Sequence, residues 1–478
     1  MNSKKCYLSR YHKIVLFGTP VLLFIILRSI GFDGLYGQDA YEYLKYTKAL
    51  SSFMNHEVLP RDFFWPVYYP LLGAILNYII PNTGVALQLL SVLSMGVSAV
   101  YTYKIISLTY TDKDNTFVYV LIFFLLSPVV FRMGLLVMSD MLATALIILC
   151  IYHAIYYVKN QHIKNLYFTF VFGVIAVMTR YASFVVLLPL ALYILYWFIF
   201  KIKNLRHSIF FVIIFLILIS PHILIKSQNL VSFIDHNALT NWSVLNFFKN
   251  SFLTDQGYNS YKSPNLIYAF SNLFHPRYLI AGSILLLIFL TKKIYKNTHP
   301  ILSVCVVFYA LFVAGIDTQN SRFLLLSFPI ILIILFPVLL YICDKILSKQ
   351  IKYISVFLLI MLQFFLSIKG MKPILERNTL EKQIVKQLEP YQHNTLYSFD
   401  IDIALQGRAL NFTYKNLWIK EYSKFEEKAL LLFHPTKFNK QWKGKNPIVN
   451  WSKIQKEYEL KILKECYDGW KLYQIHLK

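Results

Sequence analysis

The sequence predicts a mainly α, polytopic membrane protein with a soluble α/β domain in its C-terminal part. Three observations carry that expectation. The 478 residues are 57% hydrophobic, with a mean hydropathy of +0.50, against roughly 45–50% apolar content in soluble domains. The excess is gathered into runs of about 17–25 residues, the length a helix needs to cross a bilayer. From about residue 371 the pattern turns polar and mixes helical with strand periods.

The elements follow in order. The first apolar run, 14–30, has no small-residue cleavage site after it, so it is expected to remain as a helix rather than leave as a signal peptide. Lys4, Lys5, Arg10 and Lys13 precede it and place the N-terminus on the cytoplasmic side. A long amphipathic stretch, 34–82, comes next. Its apolar part, 67–80, lies between Pro66 and Pro81 and is too short to span comfortably, so it is assigned to juxtamembrane helix at the outer interface. Further spans are expected at about 84–107, 116–132, 137–158, 165–180, 182–200, 208–225, 277–291, 300–316, 323–343 and 352–369, which makes about 11 with the first. Domain limits follow: 1–370 as the transmembrane catalytic domain, with 34–82 as its outer loop, and 371–478 as an extracytoplasmic α/β domain.

The lysines test this topology. With 67–80 at the surface, the inside loops carry Lys104 and Lys113, Lys159 and Lys164, Lys201 and Lys203, Lys292 and Lys293, and Lys345 and Lys349. Every inside loop is then basic, as the positive-inside rule requires. Letting 67–80 span would move most of these lysines outside. In the tail, 375–388 reads as an amphipathic helix and 395–399, 429–433 and 470–477 as strands.

The formal net charge of +24 fits basic cytoplasmic loops against anionic membrane lipids. No basic stripe with interleaved aromatics lies outside the apolar runs, which argues against nucleic acid. Cys6, Cys150, Cys305, Cys343 and Cys466 are scattered without metal-ligand spacing, so neither a disulfide framework nor a cysteine metal site is expected. Asn-x-Ser/Thr sequons at Asn241, Asn411 and Asn450 would matter only in a secretory pathway.

Two carboxylates stand out. Asp39, in Gln38-Asp39-Ala40-Tyr41-Glu42, could cap a helix, with Glu42 completing a capping box. It could equally be a general base at the rim of a membrane cavity. Asp140 begins an apolar run beside Ser139, where an acid is expensive unless Arg132, Arg180 or a metal ion pairs with it. Arg28, Arg61, Arg132, Arg180, Arg277 and Arg322 all fall at outer helix ends or in outer loops. Singly they could be interfacial anchors, whereas together they resemble a phosphate clamp. Asp62, Tyr181 and His275 are secondary candidates, His275 reading more simply as a loop hydrogen-bonding residue. A divalent metal is left open as a cofactor, with Asp39 and Asp140 as its ligands.

At these residues the chain resembles the GT-C superfamily of glycosyltransferases (family 39-like), nearest the bacterial protein O-mannosyltransferase and lipid A aminoarabinose transferase branch. The likeness rests on Gln38-Asp39-Ala40-Tyr41, on Phe64-Trp65-Pro66 through Leu72, and on Ser127-Pro128 followed by Ser139-Asp140. Thr179-Arg180-Tyr181, Arg322-Phe323 with Pro329, and the terminal Trp470-Lys471-Leu472-Tyr473 extend it over most of the chain. The resemblance implies an inverting transferase taking a sugar from a polyprenyl-phosphate donor to a glycan, lipid or protein acceptor. It implies Asp39 as base or acceptor-positioning carboxylate, Asp140 as a second acid near the donor phosphate, and Arg180 and Arg322 on that phosphate, with Arg132 and Arg277 as further donor-site arginines. It also implies a bacterial cytoplasmic membrane location. Two other classes remain: a transporter or flippase, for which no inverted repeat is visible, and a noncatalytic scaffold.

Overall fold

The computed structural model describes residues 2–56, 58–60, 63–202, 205–226, 237–254, 257–297, 299–345 and 348–478. The chain divides into two units. The first comprises Met1–Gly34, Tyr46–Phe248 and Ser263–Lys372, and the second Leu35–Lys45, Lys249–Lys262 and Pro373–Lys478.

The first unit is helical. Its helices are α1 (Asn2–Ser29), α2 (Gly37–His56, whose first turns belong to the second unit), α3 (Tyr68–Asn77), α4 (Thr83–Thr109), α5 (Lys113–Val120), α6 (Pro128–Gly134), α7 (Asp140–Asn160) and α8 (Ile163–Thr179). They continue as α9 (Ala182–Tyr196), α10 (Ser208–Ile225), α11 (Gly282–Thr291), α12 (Pro300–Ala314), α13 (Phe328–Lys345) and α14 (Lys349–Leu388, whose residues from Pro373 belong to the second unit). Every expected span falls on a helix. Among the described residues seven are long and apolar enough to cross a bilayer alone, or eight with the bent pair α5–α6. The remaining expected spans, α8, α11 and α12, are shorter apolar helices.

Helix α7 explains how this unit is built. It is buried without a break from Asp140 to Ile148, and a helix apolar on all sides belongs at the centre. Helices α4 and α8 pack against it, α1 packs on α4, and α9 packs on α12. At the periphery, α10 exposes Ile209, Phe210, Val212, Ile213 and Leu216, and α14 exposes Phe357, Leu358, Met361 and Phe365. Apolar belts of that extent belong against lipid, and the protein is an integral multi-pass membrane protein.

Three local expectations are corrected. The span expected at 116–132 is not straight: it ends in a π-helical turn at Leu121–Leu125 and bends by 70° into α6. Pro128 is the cause, because it disfavours helical geometry in the residue before it, and Ser127 is extended at φ −60°, ψ 127°. The run at 352–369 and the amphipathic stretch 375–388 form one helix, α14, of 40 residues. Asp39 is not the N-cap of α2: the helix begins at Gly37, and Asp39 lies within its first turn. Helix α3 has 10 residues, about 15 Å at 1.5 Å per residue. That is half of a hydrocarbon core of about 30 Å.

The second unit holds a two-stranded antiparallel hairpin, β1 (Ser251–Thr254) with β2 (Gly257–Ser260), and a five-stranded sheet. The sheet comprises β3 (Thr395–Ser398), β4 (Thr413–Asn416), β5 (Leu430–Phe433), β6 (Tyr458–Glu465) and β7 (Lys471–Leu477) in the order β4-β3-β5-β7-β6. Strands β4, β3 and β5 are parallel, with Leu396 facing Tyr414 and Leu430. Strand β7 is antiparallel to β5 and β6, with Leu431 and Ile462 opposite Tyr473. The three expected strands are β3, β5 and β7. Strands β4 and β6 escape the sequence pattern because both carry lysines and lie at the two edges of the sheet. Central β5 is buried throughout, as a strand covered on both faces must be. Asn450 is fully buried in this unit and donates to the carbonyls of Leu417 and Lys420, so the folded chain does not offer it for glycosylation.

Candidate active site

In the first unit the charged site grows from a loop that buried polar groups hold in place. Residues 135–139 connect α6 to α7 and deliver Asp140. Gln88 Nε2 donates to Leu135 O at 2.7 Å and Ser91 Oγ to Met138 O at 3.1 Å, both from fully buried positions on α4. Val137 N donates to Gly34 O at 2.9 Å. Gly34 has φ +80°, and a Cβ there would come within 2.6 Å of the Gln88 side chain, so glycine is required for both backbone and space. Gly134 meets α4 equally closely: a Cβ would sit 2.3 Å from Met95 Sδ.

Asp140 emerges from this loop fully buried, in the first turn of α7, where the helix dipole favours negative charge. Its Oδ1 lies 3.1 Å from Arg180 NH1. Ser139 makes no side-chain cap hydrogen bond, so capping does not account for the pair. Arg180 sits in the break between α8 and α9 with an extended backbone, φ −156°, ψ 114°, and its carbonyl accepts from Ser183 N at 2.9 Å. The Arg180 guanidinium carbon is 5.8 Å from the centre of the Phe323 ring, and that of Arg322 is 5.9 Å from the same ring. Arg322 NH1 also lies 3.7 Å from Met138 Sδ.

The short helix Ser321–Leu326 that bears Arg322 is clamped from three directions. Tyr309 OH donates to Phe323 O at 2.7 Å, Asn272 Nδ2 to Leu324 O at 3.2 Å, and Tyr278 OH to Ser321 O. Arg132 lies on α6 and is half-buried, while Arg277 is exposed and uses its carbonyl to hold Val129 N and Ser127 Oγ, each at 3.2 Å. His275 is exposed and accepts from Arg277 N at 3.1 Å, the loop role expected of it. Arg61 and Asp62 lie outside the described residues.

Tyr181 extends the cluster toward α10, its OH 3.4 Å from Nε2 of buried His222. One turn further, Lys226 is 3% exposed and donates to Phe64 O at 2.9 Å, and Tyr68 OH donates to Leu218 O at 2.6 Å. The aromatic-Pro segment around Trp65 is therefore fastened to α10. Sequence reasoning missed Lys226, although a lysine closing an apolar run was a visible signal. Gln88 and Ser91 were visible too, as polar residues inside a span.

In the second unit Asp39 and Glu42 are both half-buried on the first turns of α2. Between them in the chain, Tyr41 is 1% exposed, and its OH donates to Glu381 Oε2. Glu381 is nearly inaccessible and also meets Arg377 Nε at 2.8 Å and Arg408 NH2 at 3.5 Å. The Arg377 fork continues to Asp400, NH1 to Oδ2 at 3.0 Å and NH2 to the carbonyl at 3.1 Å, and Lys437 Nζ lies 3.0 Å from the same Oδ2. Burial pushes the Asp400 carboxyl up, but Arg377 and then Lys437 outweigh it, leaving it below the usual carboxylate range. Asn378 Nδ2 donates to Leu35 O at 3.1 Å, and a Cβ on Gly407 would strike the Tyr41 ring at 2.4 Å. Nothing in the local sequence singled out this network, because its members are spread over five separate segments.

Among the described residues no three His, Cys, Asp or Glu gather as a metal set.

The first unit is thus a multi-pass helical bundle with a buried acid–arginine pair, and the second a strand-bearing unit. Residues 65–225 match the family described as dolichyl-phosphate-mannose-protein mannosyltransferase. The structure is similar to that of ArnT from Cupriavidus metallidurans bound to undecaprenyl phosphate, with a TM-score of 0.60 at 11% identity, covering 95% of this chain and 97% of that one. The same protein in its apo state gives a TM-score of 0.57 at 11% identity, with the same coverage. The Archaeoglobus fulgidus oligosaccharyltransferase gives 0.49 at 12% identity, covering 97% and 74%. No curated protein matches the sequence. The family match covers about a third of the chain, and the fold is similar to that of ArnT over nearly its whole length.

Proposed function

We propose that the protein transfers a sugar from a polyprenyl-phosphate donor to an acceptor on the extracytoplasmic side of the membrane, with inversion at the anomeric carbon. The observation that carries this reading is the buried Asp140–Arg180 pair with Arg322 on the shared Phe323 ring. The ArnT structure, whose fold this chain shares, was solved with undecaprenyl phosphate, a ligand of the proposed chemistry.

The acceptor hydroxyl oxygen attacks the anomeric carbon as the bond from that carbon to the donor phosphate oxygen breaks. The electron pair leaves with the lipid phosphate, and the acceptor proton passes to the Asp39 carboxylate. Arg180 and Arg322 hold the charge developing on the leaving phosphate, with Arg132, Arg277 and buried Lys226 as further cations of that site. Asp140 acts through Arg180: by neutralising and orienting one face of the guanidinium it directs the remaining N–H groups toward the phosphate. Catalysis is then mainly positioning and preorganised charge.

Residues 1–370 serve as the transmembrane catalytic domain and 371–478 as an extracytoplasmic domain, with the lysine-bearing loops in the cytoplasm. The test is transfer by membranes supplied with polyprenyl-phosphate sugar. Asp39→Asn abolishes product while the protein stays inserted and folded, and full transfer by that variant would remove Asp39 from the mechanism. Mass spectrometry of glycans and lipids from cells with and without the protein names the product.

A further inference from the structure

The charge network of the second unit borders a cavity of about 300 Å³, and nothing in the proposed donor chemistry uses it. Tyr36, Gln38, Tyr41, Arg377, Asp400 and Lys437 line it, all within one unit. We propose that this cavity is the acceptor subsite and that it binds a neutral sugar unit, so that the acceptor is a glycan. The proposal rests on the transferase reading, because it assigns the acceptor to the side of Asp39.

Four observations support it. First, the cavity includes Gln38 and Tyr41, which flank Asp39 on one helical turn. An acceptor seated there lies along the segment that bears the proposed base.

Second, every one of these charges already has a partner of opposite sign. Arg377 forks between Glu381 and Asp400, Arg408 faces Glu381, and Lys437 faces Asp400. A phosphate would have to break these pairs to be held. Hydroxyl groups, in contrast, can accept from the cations and donate to the carboxylates without displacing either.

Third, the rings of Tyr36 and Tyr41 give the same cavity apolar walls suited to the C–H faces of a pyranose. A few polar groups set among apolar surface is the usual make-up of a small-molecule site, and this volume is at the small end of that class.

Fourth, Asp400 is held at φ +73°, a left-handed conformation that non-glycine residues adopt rarely and mostly where the surroundings impose it. Arg377 imposes it by gripping both the side chain and the carbonyl of Asp400. The lip of the cavity is therefore preorganised.

The experiment is saturation-transfer difference NMR on the full-length protein in lipid nanodiscs, with methyl α-D-glucopyranoside and methyl α-D-mannopyranoside as probes and inorganic phosphate as competitor. Saturation should reach the ring protons of at least one glycoside and should persist when phosphate is added. It should be lost in Ile403→Trp, because Ile403 also lines the cavity and the larger ring fills it, and reduced in Lys437→Ala, an accessible position whose replacement leaves the fold intact by thermal unfolding. Absence of transfer in the native protein, equal transfer in both variants, or displacement by phosphate would each overturn the proposal.

Activity separates it from the reading it rests on. If Asp39→Asn keeps glycoside binding but loses transfer, both stand. If glycoside binding depends on Ile403 and Lys437 while the native protein forms no glycosidic bond, the site stands and the transferase reading falls. If Ile403→Trp transfers with an unchanged KM, in place of a rise of about tenfold or more for a lost subsite, the site falls and the transferase reading stands.

Discussion

Asp140 and Arg180 form a pair in which one partner is completely buried, and such pairs respond asymmetrically to mutation. Removing only one charge leaves the other uncompensated, at about 3–5 kcal/mol, whereas removing both is far milder. Arg180→Met is therefore expected to lower thermal stability strongly in detergent, and Asp140→Leu combined with Arg180→Met to recover part of the loss. Additive losses would show that the pair is not coupled. On activity, Arg180→Lys keeps the charge but loses the planar fork, so transfer should fall by about 100-fold with little change in acceptor KM, the size expected when one preorganised donor is lost. Asp400 supports a pH experiment. Its folded-state carboxyl titrates below the ordinary value, so its ionised form stabilises the second unit above the unfolded pKa near 3.9 and that contribution disappears as pH falls through the lower folded value. Asp400→Asn should thus destabilise this unit at neutral pH, and the difference from the native protein should start to shrink below about pH 4 and vanish only below the lower folded value. Trp418, Trp442, Trp451 and Trp470 report unfolding of this unit by fluorescence.

At the scale of elements, the loop before α7 is the part on which the first-unit site depends. Three hydrogen bonds from Gln88, Ser91 and Val137 fix it, and Gly34 closes it with a positive φ that leaves no room for a side chain. Gly34→Ala is expected to destabilise the protein by about 1–2 kcal/mol from backbone strain alone and to reduce transfer beyond that through displacement of Gln88. Unchanged thermal unfolding and activity in Gly34→Ala would mean that the loop tolerates movement and does not position Asp140. Helix identities were readable because apolar runs of spanning length are strong signals. The bend at Pro128 was equally present in the sequence and went unused, since hydropathy averages across a proline that backbone sterics do not ignore. Edge strands β4 and β6 escaped for the opposite reason: their lysines point away from any alternating apolar pattern, and the neighbouring strand, not propensity, makes them strands.

For the whole molecule, the fold is similar to that of ArnT from Cupriavidus metallidurans, and its arrangement in the membrane can be tested by labelling. In a cysteine-free background, Glu421→Cys in the second unit should react with a membrane-impermeant maleimide on intact cells. Lys159→Cys, in a loop expected to be cytoplasmic, should react only after permeabilisation. Reversal of that pattern would invert the topology and remove the lysine argument with it.

Composition and periodicity by themselves determined that the chain is a helical membrane protein with a strand-bearing tail, because burial in lipid demands long apolar runs that few other folds produce. They also singled out Asp140 and the arginines, since charge beside hydrocarbon is costly enough to be conspicuous. Only the tertiary structure decided which arginine answers Asp140, that Arg180 and Arg322 share the Phe323 ring, and that Glu381 binds Tyr41 across 340 residues of chain. Such pairings depend on packing between distant segments, and no local pattern records them.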